Sequence, residues 1–187
     1  MNLAGALRAL QPLLSDAIVV HANGHIARAA FNVEDRLGNF YMIGSMGLAS
    51  SIGLGIALSR PQQRVVIYDG DGNLLMNLGS TAMIAHTAPA NLIHLVFDNG
   101  VYASTGNQVA VSQTVPLDRI AGAAGYRSSV RVSTPASLTA AYSAAANAPG
   151  PAFILAEIEV ETGPFEGGRV THPPHQIRDR VAAAIGA

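Results

Sequence analysis

The 187-residue chain contains no cysteine, and all eleven of its basic residues are arginine. Without cysteine it cannot form disulfides, thiolate metal sites or a cysteine nucleophile. Without lysine it lacks the residue that forms Schiff bases and the phosphate-binding residue of Walker loops, which argues against pyridoxal chemistry and P-loop nucleotide hydrolysis. The net charge is −1, so the sequence offers no basic footprint for nucleic acid or an anionic membrane.

Hydrophobic residues make up 49% of the sequence, which is enough to bury a substantial core. We expect one domain over residues 1–187, because no internal repeat or second-domain linker is visible. The apolar stretch 44–58 is too short and too rich in glycine for a membrane span, and no basic leader precedes the first leucines. These features predict a cytoplasmic protein.

Two β-branched apolar runs, residues 64–69 and 91–97, predict buried strands, and residues 74–86 between them predict a helix. Such a βαβ unit is right-handed and brings the ends of both strands to the same edge of a parallel sheet. Ligands of open α/β sheets bind at that edge. Further strands are predicted at 17–21, 129–132 and 152–160, and helices at 117–126, 135–147 and 174–185. The predicted fold is a three-layer α/β/α sandwich with a mainly parallel sheet.

Polar residues follow both of the central strands. Gly70-Asp71-Gly72-Asn73 follows the first, and Asp98-Asn99-Gly100-Val101 follows the second. An aspartate and a carboxamide brought to one edge can hold a hard cation, and the glycines leave backbone N–H groups open to a phosphate. The following helix directs its positive end toward the same place. The pair predicts a magnesium–diphosphate site, although each motif alone could be only a turn.

This combination resembles the diphosphate-binding domain of thiamine diphosphate (ThDP) enzymes, whose signature is Gly-Asp-Gly followed after a similar gap by Asn-Asn. The resemblance implies a ThDP-binding fold. It also implies that Asp71, Asn99 and the main-chain oxygen of Val101 hold Mg²⁺. The first asparagine of the family's pair is Asp98 here, an additional carboxylate.

A second block, residues 40–51, strengthens the resemblance. In ThDP enzymes a glycine-rich segment at this place offers a backbone carbonyl to the cofactor's exocyclic amine, and a bulky side chain two residues later wedges the cofactor into its bent shape. The resemblance assigns these roles to Gly44 and Met46, with Ser45 between them in the cofactor-binding set. The alternative is a tight helix start, for which glycines also serve.

The loop Asn23-Gly24-His25 follows the strand predicted at 17–21 and should open on the same edge. These three residues are candidate diphosphate contacts, or else parts of an exposed turn. Ser104 and Thr105 lie just beyond the metal loop and could reach the substrate or cap a helix.

ThDP enzymes also need a domain that binds the pyrimidine ring and supplies an activating glutamate, and nothing in this chain matches it. The resemblance therefore implies a separate partner subunit, in a hetero-oligomer of α2β2 or larger composition with the active site at the interface. No contact with nucleic acid or membrane is expected.

Within the family, the likeness is to the β subunit of sulfopyruvate decarboxylase and to the matching domain of phosphonopyruvate decarboxylase. Leu48 and the segment 104–108 favour the sulfopyruvate type. The implied reaction is decarboxylation of a 2-oxo acid bearing a sulfonate or phosphonate, such as sulfopyruvate to sulfoacetaldehyde and carbon dioxide. A carboligase or synthase subunit, and a non-catalytic cofactor-holding subunit, remain alternatives. Arg28 could pair with the substrate's acid group or lie at the surface.

Several other polar residues have structural interpretations. Every second residue at the end of the strand predicted at 152–160 and just beyond it is a glutamate: Glu157, Glu159 and Glu161. This alternation predicts a strand face that is exposed to solvent. His172 and His175 are separated by two prolines, which argues against a zinc site on one helical face. His94 lies within a buried strand and is expected in the core or at the surface rather than as a ligand.

Overall fold

A computed structural model describes residues 1–161, 165 and 167–186. Its main sheet has six strands, all parallel, in the order β2-β1-β3-β4-β8-β7. A short antiparallel pair, β5 with β6, lies outside this sheet. The strands are β1 (Ile18–His21), β2 (Asn39–Tyr41), β3 (Val65–Gly70), β4 (Leu92–Asp98), β5 (Val101–Tyr102), β6 (Gln108–Val109), β7 (Ser128–Val132) and β8 (Ala152–Glu157).

Helices cover both faces of the sheet, because β3 and β4 are apolar along almost their whole length and must be buried on both sides. One core lies beneath α1, α2, α7 and α8, and the other beneath α3, α4, α5 and α6. The predicted three-layer α/β/α sandwich is therefore confirmed. The helices are α1 (Leu3–Leu10), α2 (His25–Val33), α3 (Ala49–Ser59), α4 (Asp71–Met76), α5 (Gly79–Thr87), α6 (Leu117–Ala124), α7 (Pro135–Ala146) and α8 (Pro174–Ala184).

The single helix predicted at 74–86 is wrong, because the structure has two helices there. The chain leaves helical geometry at Asn77, where φ is −145° and ψ is 56°, and resumes it at Gly79. The Asn77 side chain donates to the Ser51 hydroxyl at 3.3 Å, which ties the break to α3. The first of these helices, α4, begins at Asp71 and has only six residues.

The strand predicted at 152–160 is also too long. It ends at Glu157, after which the Ile158 N–H donates to the Asp98 carbonyl and the chain leaves the sheet. The helix predicted at 135–147 begins at Pro135 as expected, and Thr134 and Ser137 form a reciprocal capping box at its start.

The strand order creates a crevice at the carboxyl edge. From β1 the chain moves outward to β2, and then returns to place β3 on the other side of β1. Loops leaving β1 and β3 therefore diverge, which is the arrangement where open α/β sheets bind ligands. Among the described residues, no helix is both long enough and apolar enough to cross a membrane.

Candidate functional site

An open cleft of about 620 Å³ occupies this crevice. Its walls come from the loops after β1, β3 and β4, from the loop before α3, and from the segment after β8. The candidate residues that line it are Asn23, His25, Met46, Gly70, Asp71, Gly72, Asn73, Asn99, Val101 and Ser104. Topology therefore brings most of the residues selected from the sequence into one place.

Asp71 is buried at the base of the cleft, and its carboxylate accepts a hydrogen bond from the Ser112 hydroxyl at 2.6 Å. Burial raises the pKa of Asp71 to about 6; Ser112 opposes the rise, and the negative charge of Asp98 adds to it. No arginine or histidine among the described residues forms an ion pair with either carboxylate. Two adjacent carboxylates without a cation are costly to bury, and an added cation would relieve that cost.

Asn99 lies beside this pair, on a loop shaped by two local hydrogen bonds. The Val101 N–H donates to the Asn99 side-chain oxygen at 3.1 Å, and the Gly100 N–H donates to the Asp98 carboxylate at 3.0 Å. Carboxylate, carboxamide and main-chain oxygens are the donors that Mg²⁺ prefers. The residues present therefore fit a divalent cation.

Gly72 has a packing reason to be glycine. A Cβ on this residue would lie 2.4 Å from Cε1 of Tyr102, so the tyrosine ring could not keep its place on the cleft wall. The glycine thus lets the segment after β4 pack closely against the first turn of α4.

Asn73 lies in the cleft, but its side chain is already engaged within the protein. Its oxygen accepts from the Gly47 N–H at 2.8 Å, and its amide nitrogen donates to Asp69 at 2.5 Å. Asp69, fully buried, also pairs with His94 at 3.0 Å. Asp69 was not among the residues predicted from the sequence. His94 was expected in the core or at the surface, and it is buried in the core.

The segment Gly44–Gly47 is divided between two clefts. Met46 lines the main cleft, whereas Gly44 and Ser45 line a neighbouring apolar cleft of about 430 Å³ with Ile52 and Ile177. Ser45 and Gly47 both adopt positive φ, 54° and 97°.

His25 and Glu161 both line the cleft, although Glu161 was expected on a solvent-exposed strand face. Nδ1 of His25 lies 3.4 Å from a Glu161 carboxylate oxygen, and the His25 ring packs on Phe165. Burial lowers the pKa of His25, and Glu161 opposes that shift. Glu161 is half-buried, so the predicted solvated face is wrong for this residue. The nearby Asn23 side-chain oxygen is buried without a hydrogen-bond partner among the described residues.

Other candidates lie apart from the cleft. The Thr105 hydroxyl faces Gln108 in a local turn, at 2.8 Å. The Arg28 guanidinium stacks on Phe165 and donates to the Gly167 carbonyl at 3.1 Å, so it is engaged away from the cleft. His172 pairs with Asp35 at 2.7 Å, and no group of three or more His, Asp or Glu residues suited to a metal ion occurs in the described part of the chain.

A scan against protein families matches residues 22–156 to the thiamine pyrophosphate enzyme, C-terminal TPP binding domain. This match spans most of the chain and includes β2, β3, β4, β7 and nearly all of β8, whereas β1 ends just before it. The chain belongs to this family. Its fold agrees with that of the ThDP-dependent 4-hydroxybenzoylformate decarboxylase of Rhodococcus jostii, with a TM-score of 0.73 and 17% identity over 87% of this chain and 33% of that one.

Two curated relatives of this ThDP-family chain are decarboxylases. It is 40% identical over 185 residues to phosphonopyruvate decarboxylase of Streptomyces viridochromogenes, a match that covers 98% of this chain and 46% of the relative. It is 42% identical over 121 residues to sulfopyruvate decarboxylase subunit beta of Methanothermobacter thermautotrophicus, covering 65% of each. The chain thus spans about half the length of the first of these relatives.

Two residues that contact candidate site residues, Asp69 beside Asn73 and Glu161 beside His25, were not predicted, and they differ in how they could have been found. Asp69 pairs in register with Val96, so His94, two residues earlier, is its diagonal neighbour on the same face of the sheet. Aligning the two strand ends would have revealed the contact. No comparable sequence signal marks Glu161, because its position depends on where β8 ends.

Proposed function

We propose that the cleft binds ThDP together with Mg²⁺. The observation that supports this most directly is the convergence of Asp71, Asn99 and Val101 beside the uncompensated Asp98 carboxylate. We assign the metal to the side chains of Asp71 and Asn99 and the main-chain oxygen of Val101. The cofactor-binding set is Asn23, Gly24, His25, Gly44, Ser45, Met46, Gly70, Asp71, Gly72, Asn73, Asn99 and Val101.

Within this set the residues have different tasks. Asn23 brings an unpartnered buried oxygen to the cleft, and Gly72 brings a backbone N–H group that suits an anionic diphosphate. Gly70 lines the cleft without a free N–H group, because its N–H donates to Asp69. Asn73 contributes through its backbone, because its side chain is committed to Gly47 and Asp69.

The proposed activity is decarboxylation of a 2-oxo acid that bears a sulfonate or phosphonate. When bound, ThDP supplies the electron sink for loss of carbon dioxide, and the protein fixes the orientation of the reactants. Met46 narrows the cleft, and Ser104 on its wall offers a hydroxyl that could contact substrate. We therefore place Met46 and Ser104 in the catalytic set, and we add Gly44 on the family resemblance, although it lines the neighbouring cleft. Thr105 remains a weaker member because its hydroxyl is engaged with Gln108.

We further propose that a separate subunit completes the site, with the pyrimidine-binding domain and the activating glutamate. Support comes from exposed apolar side chains around the loop before α3: Ile43 is 65% exposed, Met76 61%, Leu48 45% and Met46 38%. An apolar rim of this kind is typical of a protein–protein contact. The name of the Methanothermobacter relative, subunit beta, also agrees with this arrangement, for which we expect α2β2 or larger stoichiometry.

The test is calorimetric titration of ThDP with Mg²⁺ into the chain alone and into its complex with the co-encoded subunit. We expect weak binding alone, tight binding in the complex, and loss of binding in Asp71→Ala. Asp179→Ala, which removes an exposed carboxylate on α8, is the matched control and should bind as the wild type does. Absence of binding in the complex would refute the cofactor assignment.

Substrate and reaction type need a second experiment on the same complex. Sulfopyruvate and phosphonopyruvate are supplied separately, and release of carbon dioxide and aldehyde is measured. We expect turnover of sulfopyruvate to exceed that of phosphonopyruvate, because Leu48 favours the sulfopyruvate type. A longer carbon skeleton formed with an added aldehyde would instead indicate a carboligase, and ThDP binding without any turnover would indicate a cofactor-holding subunit.

A further inference from the structure

A chain of buried polar groups runs from the loop before α3, through the middle of the sheet, to the end of α6. The Gly47 N–H donates to Asn73 at 2.8 Å, and Asn73 donates to Asp69 at 2.5 Å. The other Asp69 oxygen lies 3.0 Å from Nε2 of His94, whose Nδ1 lies 3.0 Å from the Tyr126 hydroxyl. All four side chains are buried.

The chemistry of the groups fixes the order of donors and acceptors. A backbone N–H can only donate, so the Asn73 oxygen must face Gly47 and its NH₂ group must face Asp69. The carboxylate of Asp69 accepts from Asn73 and from the Gly70 N–H through one oxygen, which leaves the second oxygen for His94. A proton on Nε2 of His94 satisfies that oxygen. Removal of the imidazole would therefore leave a buried carboxylate oxygen without its partner.

The Gly44–Gly47 loop, where this series of hydrogen bonds begins, has a backbone conformation that is unfavourable by itself. Ser45, a residue with a side chain, adopts a left-handed φ of 54°, and Gly47 has φ of 97°. Gly47 also packs so tightly on α4 that a Cβ there would lie 2.9 Å from Cβ of Met76. The hydrogen bond from the Gly47 N–H to the Asn73 side chain connects this loop to α4. Asp69 orients the Asn73 side chain by accepting from its amide nitrogen.

We propose that Asp69, His94 and Tyr126 are positioning residues that act through Asn73 to hold the Gly44–Gly47 loop in the conformation that receives the cofactor. That this loop faces ThDP rests on the proposed function. The hydrogen-bonded connection between His94 and Gly47 does not rest on the proposed function. The connection and the binding of ThDP can therefore be tested separately.

The structure offers a control for packing alone. The Phe153 ring lies edge-on to His94 at 5.3 Å and to Tyr126 at 5.6 Å, and it contributes no hydrogen bond to either. Phe153→Leu therefore disturbs the same part of the core without interrupting the polar chain. His94→Leu interrupts it, Tyr126→Phe removes only its last hydroxyl, and His94→Gln retains an N–H that can reach Asp69.

The first experiment measures amide hydrogen exchange of the full chain by NMR, comparing Gly47 with Ile154 in the central part of β8. In His94→Leu we expect Gly47 to exchange about tenfold faster relative to Ile154, because opening of the loop is then local. His94→Gln should restore much of the protection, Tyr126→Phe should show a smaller change in the same direction, and Phe153→Leu should change both amides together. Equal acceleration of Gly47 and Ile154 in the His94 variants would overturn the proposal. Should His94→Leu fail to fold, an unchanged Gly47 amide in Tyr126→Phe would also overturn it.

The second experiment titrates ThDP into the complex formed by each variant. We expect affinity to fall about tenfold in His94→Leu and to be restored in His94→Gln, with little change in Phe153→Leu. Normal affinity in His94→Leu with an accelerated Gly47 amide would overturn the positioning role. If the wild-type complex does not bind ThDP, the proposed function fails, whereas the exchange result still decides whether the connection exists.

Discussion

Asp71 should destabilise the metal-free chain at neutral pH, because its carboxylate is buried near that of Asp98 and no arginine or histidine among the described residues pairs with it. Its pKa of about 6 in the folded state lies about two units above that of an ordinary aspartate. Such a difference disfavours the ionised folded state by about 3 kcal/mol at neutral pH, which is an upper figure because Asp98 can share the proton. We therefore expect Asp71→Asn to raise the free energy of unfolding by about 1–3 kcal/mol at pH 7.5 without metal.

The pH dependence follows from the direction of the shift. Below about pH 3 Asp71 is protonated in both the folded and the unfolded state, and it affects stability little. As the pH rises toward 6 the unfolded chain loses this proton before the folded chain does, so folding becomes less favourable. The advantage of Asp71→Asn should accordingly be smaller at pH 5 than at pH 7.5, by about 1.4 kcal/mol.

Urea denaturation in a chelator at both pH values measures these differences, with Asp179→Asn as an exposed control expected to change stability by at most about 0.5 kcal/mol. Asp98→Asn should also stabilise the metal-free chain, by relieving the repulsion on Asp71. With Mg²⁺ and ThDP added to the complex, the wild type should gain stability and Asp71→Asn should not. A destabilised Asp71→Asn at pH 7.5 without metal, or an advantage independent of pH, would refute the reasoning.

Three further substitutions test the surroundings of the site. Gly72→Ala should weaken Mg²⁺ binding about tenfold or more, because the new Cβ displaces Tyr102. Gly79→Ala is the control and should bind Mg²⁺ normally in the same titration, because its new Cβ would meet nothing within 4 Å. Asn91→Ala removes one side-chain amide that donates to three backbone carbonyls at 2.7–3.1 Å, and we expect a loss of about 2 kcal/mol in urea denaturation with unchanged metal affinity. Thr134→Ala removes the cap of α7 and should lower the melting temperature by an amount equivalent to about 1 kcal/mol; an unchanged melting temperature would show that the capping box contributes no stability.

The sequence allowed the central strands and the main cleft residues to be predicted, for a physical reason. β-branched runs identify buried parallel strands, and the right-handed crossover then requires Asp71 and Asn99 to meet at one edge. The arrangement of β2 beside β1, the short β5–β6 pair and the division between α4 and α5 were not predicted, because local propensity does not distinguish a helix that continues through Asn77 from one that breaks there to contact Ser51.

Contacts that depend on tertiary register were also beyond the sequence analysis. The Asp69–His94 pair requires the alignment of β3 with β4, and the position of Glu161 requires β8 to end at Glu157. Arg28 depends on tertiary contacts in the same way, because the sequence left open whether it pairs with the substrate or lies at the surface. Its guanidinium suits a sulfonate, but it contacts Phe165 and Gly167 instead, and that contact joins parts of the chain 139 residues apart.

The apolar rim has a consequence for oxidative damage. Two of its members, Met46 and Met76, are 38% and 61% exposed in a chain that has no cysteine to react first. Oxidation to the sulfoxide turns a flexible apolar side chain into a polar one. Peroxide should therefore impair association with the proposed partner subunit before it affects the buried core, and methionine sulfoxide reductase should reverse the loss.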